Sequence, residues 1–105
     1  MHFTYIIRCK DNSLYTGYTT DIKRRMREHE RGINSKYTRV KGYKNLEIFF
    51  ISDSRSKAMK LESYIKRCSR IKKLWIIENG DMFIEELENG LNYKLGKIQE
   101  LKNQT

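Results

Sequence analysis

Apolar positions along this chain change period several times, and each change marks an element. Residues 2–9, HFTYIIRC, are rich in β-branched and aromatic side chains and predict a strand. Asp11-Asn12-Ser13 follows as turn chemistry, with Asn12 able to take a left-handed backbone conformation, and Leu14 to Tyr18 predicts the returning strand of a hairpin. The loop length decides a functional question. An odd-length loop, such as Asp11 to Ser13, pairs Cys9 with Tyr15 and puts Tyr5 and Tyr15 on one sheet face. A two-residue loop puts them on opposite faces, because side chains alternate along a strand.

Thr19-Thr20-Asp21 then offers a helix N-cap and Gly32 a C-terminal stop. Between them Ile22, Met26 and His29 recur at spacings of four and three on one helix face, which Arg25 shares. Residues 33–44, INSKYTRVKGYK, read as a basic loop. Leu46 to Ile51, LEIFFI, is nearly continuous in apolar residues and predicts a third, central strand. Ser52 or Ser54 caps a second helix that runs to about Lys73. Ala58, Leu61, Ile65 and Cys68 form its apolar stripe, with Glu62 at the stripe's edge. After Trp75, Gly80 and Asn89-Gly90 interrupt the chain, and Asp81 is placed to cap a short helix to Glu88. Residues 91–105 are polar, either helical or frayed. The order predicts a small α+β domain, a three-stranded sheet flanked by helices over residues 1–80. A short acidic extension, helical or partly disordered, occupies 81–105.

Composition narrows the function classes. The chain has 105 residues, room for one compact domain, and its 11% aromatic content argues against disorder. No apolar run approaches the ~20 residues of a membrane span, and MHFTYIIRCK lacks the pattern of a signal peptide. Cys9 and Cys68 lie far apart without metal-ligand spacing; both read as small buried residues in a reducing cytoplasm. Nothing calls for a membrane or a small-molecule cofactor.

The net charge of +9 is uneven: residues 1–75 carry +12 and residues 76–105 carry −3. Basic side chains cluster at Lys23 to Arg27, at Lys36 to Lys44 and at Lys66 to Lys73. One such cluster is an ordinary solvated surface, but three of one sign on a small domain point to nucleic acid. Arg24, Arg27, Lys36, Tyr37, Arg39 and Lys66 are the candidate contacts. In Ser35-Lys36-Tyr37-Thr38-Arg39, two cations around an aromatic and a hydroxyl suit phosphate contact with base stacking; the alternative is a loop whose Tyr37 caps the core.

A phosphodiester hydrolase needs a group to activate water, a cation for phosphate charge and a carboxylate for a divalent metal. Tyr5, Tyr15, Arg25, His29 and Glu62 are the candidates. Taken singly, each reads as packing or surface: cross-strand aromatics, a helix cation, a helix-end histidine, and a glutamate four residues before Lys66.

Together they fall into one register. Thr4-Tyr5-Ile6, Tyr15-Thr16-Gly17 ten residues later, an Arg ten further on and a His four beyond resemble the GIY-YIG endonuclease superfamily, in particular its small standalone bacterial branch. The likeness covers about residues 3–75. It implies a central three-stranded antiparallel sheet with flanking helices, and metal-dependent hydrolysis of nucleic acid, DNA first. By that resemblance Tyr15 accepts the proton of the attacking water, or His29 orients or replaces it. Arg25 forks onto phosphate, Tyr5 hydrogen-bonds substrate or water, and Glu62 holds Mg²⁺ or Mn²⁺. An ordinary tyrosine, with a pKa of ~10, is a poor base at neutral pH unless a cation stabilises its phenolate.

The sequence also departs from the pattern. Phe3 stands at the namesake Gly, Leu74 where some members carry Asn, and Tyr18 where members often carry Lys. Leu74 and Tyr18 favour a second reading, a nucleic-acid-binding module that keeps the fold without turnover. A third makes the acidic tail a dock for a protein partner or a cover for the basic face.

Overall fold

The first strand, β1 (His2–Cys9), pairs antiparallel with β2 (Leu14–Thr19) on one side and β3 (Tyr43–Ser52) on the other. This computed structural model describes residues 1–102; the last three residues of the predicted extension, 103–105, lie outside the described residues. The hairpin turns through Lys10-Asp11-Asn12, where the Asn12 N–H donates to the Cys9 carbonyl at 2.9 Å and Asn12 sits at φ 68°. This loop is odd in length, so Tyr5 and Tyr15 do share a face. The partner of Tyr15 is Ile7, two residues earlier than the Cys9 predicted, and Tyr5 faces Gly17.

Helix α1 (Ile22–Arg31) starts at Asp21, whose side chain accepts from the Arg24 N–H, and ends at Gly32 in the left-handed conformation. Residues 33–44 correct the predicted loop. Ser35 caps a short helix α2 (Lys36–Lys41), Gly42 ends it, and β3 begins at Tyr43 rather than Leu46. The second predicted helix is two. Helix α3 (Arg55–Arg67) is capped by Ser54 and stops at Cys68, which is extended. Ser69 then accepts from the Lys72 N–H and starts α4 (Arg70–Glu78) in a new direction. A seryl oxygen that bonds the backbone ahead of it competes with helix continuation, so the stripe of α3 does not run on. Cys68 is only half-buried, while Cys9 is fully buried; both are free thiols.

The chain then forms α5 (Gly80–Glu86), a 3₁₀ turn (Gly90–Asn92), β4 (Lys94–Leu95) and α6 (Ile98–Lys102). Strand β4 pairs with β3 through Phe50 and Ile51, so the antiparallel sheet has four strands, in the order β2-β1-β3-β4, and not three. Two residues are too few to display alternation, which is why the sequence pattern hides this strand. Gly96 follows directly. Its N–H donates to the Phe49 carbonyl at 2.8 Å, and a Cβ there would fall inside the Phe49 ring.

Alternation along β1 and β3 splits the core. Tyr5, Ile7, Cys9 and Phe49 face α1, with Ile98 and Leu101 of α6 packed beside them. Ile6, Ile48 and Phe50 face the other way, onto Leu61 and Ile65 of α3, Ile76, Phe83 and Tyr93. Two hydrogen bonds clamp α3: Thr4 Oγ1 donates to the Ala58 carbonyl at 2.8 Å, and the Tyr93 hydroxyl to the Lys57 carbonyl at 2.7 Å. No described helix is long and apolar enough to cross a membrane.

Phe83 is fully buried against Phe50 at a ring separation of 5.6 Å. Phe83→Ala is expected to lower stability by about 3–5 kcal/mol in urea unfolding. A loss below about 1 kcal/mol would show that α5 is not part of this core.

Candidate active site

The sheet face toward α1 gathers four of the five predicted catalytic residues. Tyr5 and His29 are each 1% exposed, and the Tyr5 hydroxyl lies 2.7 Å from His29 Nε2. The other ring nitrogen, Nδ1, is 3.0 Å from Thr38 Oγ1, which in turn donates to the Ser35 carbonyl at 3.5 Å. That order assigns the proton of His29 to Nδ1 and lets Nε2 accept from Tyr5. Arg25 completes the chain, its Nε donating to the Tyr5 oxygen at 3.3 Å. The hydrogen-bonded series therefore runs Arg25, Tyr5, His29, Thr38, Ser35, from the surface inward and out again.

Burial sets the charge states. The Tyr5 phenol is held up at about 12 by loss of hydration, which outweighs the opposing hydrogen bond from Arg25. Burial pushes His29 down to about 4, and the neighbouring Arg25 charge acts in the same direction. At neutral pH the pair is a protonated phenol and a neutral imidazole, so no buried charge has to be compensated.

Gly17 makes this arrangement possible. It lies opposite Tyr5 on β2, and a Cβ there would come within 2.5 Å of Tyr5 Cζ. The tyrosine ring occupies the space of the missing side chain.

Arg25 is gripped on all three nitrogens. Besides the Tyr5 bond, NH1 donates to Glu28 Oε1 at 2.9 Å and NH2 to the Asn34 carbonyl at 3.0 Å. Five guanidinium N–H groups with three engaged leave one on each terminal nitrogen. The side chain is 15% exposed. Tyr15 shares the sheet face of Tyr5 and packs on His29. Its ring meets His29 edge to face at 5.7 Å and lies 5.1 Å from the Tyr37 ring. Tyr15 is half-buried, and its hydroxyl makes no hydrogen bond among the described residues.

Glu62 is not in hydrogen-bond contact with these four. It projects from α3, which packs on the other face of β1 and β2, but its charge acts on Tyr5. Its side chain is 13% exposed and pairs with Lys66 at 3.7 Å. Among the described residues no three His, Cys, Asp or Glu side chains converge on one point. A lone carboxylate still fits Mg²⁺ or Mn²⁺, because such ions keep most of their waters and are commonly shared between one or two carboxylates and a substrate phosphate.

The predicted nucleic-acid contacts are spread more widely. Arg24 pairs with Glu28 at 3.8 Å, Lys36 and Arg39 are exposed on α2, and Tyr37 packs inward on Tyr15. Arg27 lies on a different side of α1, at a groove beside Tyr43 and Lys44. Sequence reasoning missed the supporting residues. Glu28 was legible as an i, i+3 partner of Arg25. Thr38 carried no signal, because its role depends on α2 folding back over His29.

A family model described as the GIY-YIG catalytic domain matches residues 1–74. A UPF0213 protein of Clostridium perfringens is 37% identical over 92 residues, covering 88% of this chain and 99% of that protein. One of Fusobacterium nucleatum is 40% identical over 97 residues, covering 92% and 97%. The solution NMR structure of the UPF0213 protein BH0048 from Bacillus halodurans shares 42% identity, with a TM-score of 0.49, over 73% of this chain and 82% of that one.

Two outcomes test the site. Gly17→Ala is expected to cost about 1–3 kcal/mol in urea unfolding, because a buried, hydrogen-bonded ring has to move. A double-mutant cycle with Tyr5→Leu should recover most of the loss; strict additivity would show that the two residues do not touch. For His29, the unfolded chain binds the imidazole proton at a higher pH than the folded one. Stability is therefore full above about pH 6.5 and falls as pH drops toward 4, with a slope of up to about 1.4 kcal/mol per pH unit. Asp11, Glu28 and Asp53, whose carboxyls are held low by hydrogen bonds, act below that window. His29→Gln should flatten the curve between pH 4.5 and 6.5; an unchanged slope would place the titration elsewhere.

Proposed function

The chain belongs to the GIY-YIG family, and on that premise we propose that it is a metal-dependent endonuclease hydrolysing phosphodiester bonds of DNA. The family is in general one of endonucleases acting on nucleic acid, and the finer assignments rest on this chain's own residues. The observation that carries the reading is Arg25, held at three points by Tyr5, Glu28 and Asn34 with two N–H groups left over, while Tyr15 packs on His29, the other partner of Tyr5. A fork fixed in this way is suited to two non-bridging oxygens of one phosphate, and its fixed geometry costs little to organise when substrate arrives.

In this mechanism the scissile phosphate docks on Arg25. Tyr15, half-exposed and free of a hydrogen-bond partner among the described residues, first gives its hydroxyl proton to solvent and as phenolate takes the proton of the attacking water. Tyr5 does not compete for that proton: it is buried, and with a pKa of about 12 it stays a phenol at neutral pH. Its part is to hold Arg25 Nε while donating to His29. His29 is neutral with both nitrogens occupied, so it serves as the anchor of Tyr5 rather than as a base. Both are positioning residues. Water oxygen bonds to phosphorus, the bond to the leaving oxygen breaks, and that oxygen takes a proton from solvent. A Mg²⁺ or Mn²⁺ ion on Glu62 would supply positive charge against the phosphate. Arg24, Lys36, Arg39 and Lys66 extend the phosphate-binding surface around this point. A cytoplasmic location fits two free thiols.

The second reading, a binding module without turnover, is favoured by Tyr18. Its hydroxyl is bonded to His2 Nδ1 at 2.8 Å and its ring lies under Arg55 at 6.0 Å, so no cation projects from this position.

Cleavage of plasmid, branched and single-stranded DNA and of RNA separates the readings, with wild type run beside Glu62→Gln and Tyr15→Phe. Loss of about 100-fold or more in both variants is expected of the enzyme. Equal traces in all three proteins, or tight binding without cleavage, would establish the binding module.

A further inference from the structure

On the far side of α1 from Arg25, a groove of about 600 Å³ runs between α1, the start of β3 and α6. Its floor is apolar, made by Met26, Leu46, Ile98 and Leu101, and its rim is cationic, carrying Arg27, Lys44 and Lys102. Among the described residues, none that lines it is acidic. The cavity on the other side of Ile98 is the opposite: Glu47, Glu78, Asp81 and Glu100 line it. Helix α6 therefore separates a cationic groove from an anionic one. It is held in that place because Ile98 and Leu101 join the core facing α1, and because Gly96 lets the chain pass across the Phe49 ring.

Size and chemistry select the occupant. The volume lies in the range of ordinary ligand clefts, ~300–1,000 Å³. An apolar floor under a ring of cations matches an unpaired nucleotide, whose base has apolar faces and whose phosphates are anionic. A fully paired duplex keeps its bases stacked and offers only phosphates to such a groove. Tyr43, which lines the groove, links it to the buried side of the candidate active site. Its ring stacks on His29 at 6.3 Å and 14° between ring planes.

We propose that this groove is a second nucleic-acid site, which takes an unpaired nucleotide of the strand whose phosphate docks at Arg25. The inference rests on the nucleic-acid reading above and sharpens it, since it makes single-stranded or branched substrates the preferred class. The nucleobase lies on the floor without base-specific hydrogen bonds, and Lys44 and Lys102 hold the flanking phosphates. The C-terminal extension, acidic in net charge, thus presents Lys102 to the substrate, while its Asp81 and Glu100 line the cavity on the other side of α6.

The test is binding in EDTA, where turnover plays no part. Fluorescence anisotropy with short single strands of DNA and of RNA, and with a fully paired hairpin, compares wild type with Lys44→Gln/Lys102→Gln. Lys60→Gln/Lys94→Gln, two exposed cations of other clefts, is the control of equal charge. Loss of two single-strand phosphate contacts should lower the slope of log K against log salt by about 1.4 and weaken single-strand binding by about fivefold or more. The control should stay within about twofold, and the groove pair should leave hairpin binding nearly intact. Equal losses for the two double variants, or for single strand and hairpin, would overturn the proposal while leaving the nucleic-acid reading standing. A wild type that binds no strand at all would sink both. A difference between the DNA and RNA arms names the sugar the site accepts.

Discussion

A single buried hydrogen bond, from Tyr5 on the sheet to His29 on α1, fixes the geometry on which the rest of the site depends. Both groups are almost fully out of water, so each has to be satisfied internally or cost several kcal/mol. They satisfy each other, with Thr38 and Arg25 taking the remaining positions. The result is a polar chain threaded through an aromatic cluster in which Tyr5, Tyr15 and Tyr43 close around the imidazole and Tyr37 packs on Tyr15. Because no member of the buried pair is charged at neutral pH, the core tolerates it, and the first charge met on the way out is Arg25.

This arrangement assigns different work to residues that look alike in the sequence. Tyr5 and Tyr15 are on one face of one hairpin, yet one is a buried phenol with a pKa of about 12 and the other is half-exposed with an open hydroxyl. Gly17 contributes to the difference, because it leaves room over β2 for the hydroxyl end of the Tyr5 ring. Glu62 approaches from α3 on the opposite face, near the edge strand, and acts on Tyr5 through its field rather than by contact. A carboxylate and an arginine from opposite faces of a thin sheet edge are kept apart in the free protein, where an ion pair between them would occupy both.

The two grooves flanking α6 show how net charge and local charge differ. The extension is acidic as a whole, but Asp81 and Glu100 face one cavity and Lys102 the other. A balance of charge over residues 76–105 predicts repulsion of nucleic acid; the fold converts it into a boundary.

Much of this was legible from residue order alone, because it rests on short-range periodicity. Strand β1, the hairpin with its left-handed Asn12, the Asp21 and Gly32 caps of α1, and the shared face of Arg25 and His29 all follow from spacings within a dozen residues. Tyr5, Tyr15, Arg25, His29 and Glu62 were singled out through the likeness of their spacing to a known family, and the fold brings the first four to one sheet face while Glu62 sits on α3. What needed the tertiary structure was every feature with no period to display. Helix α2 is one turn and a half, β4 is two residues, and the break at Cys68 turns on one seryl oxygen. Thr38, the partner of His29, becomes meaningful only when α2 folds over the ring. Local sequence determines which face a side chain occupies, since backbone geometry repeats every two or 3.6 residues. Which distant side chain meets it, and so which phenol is sealed from water and which left open, is decided only when the elements pack and each buried polar group finds its partner.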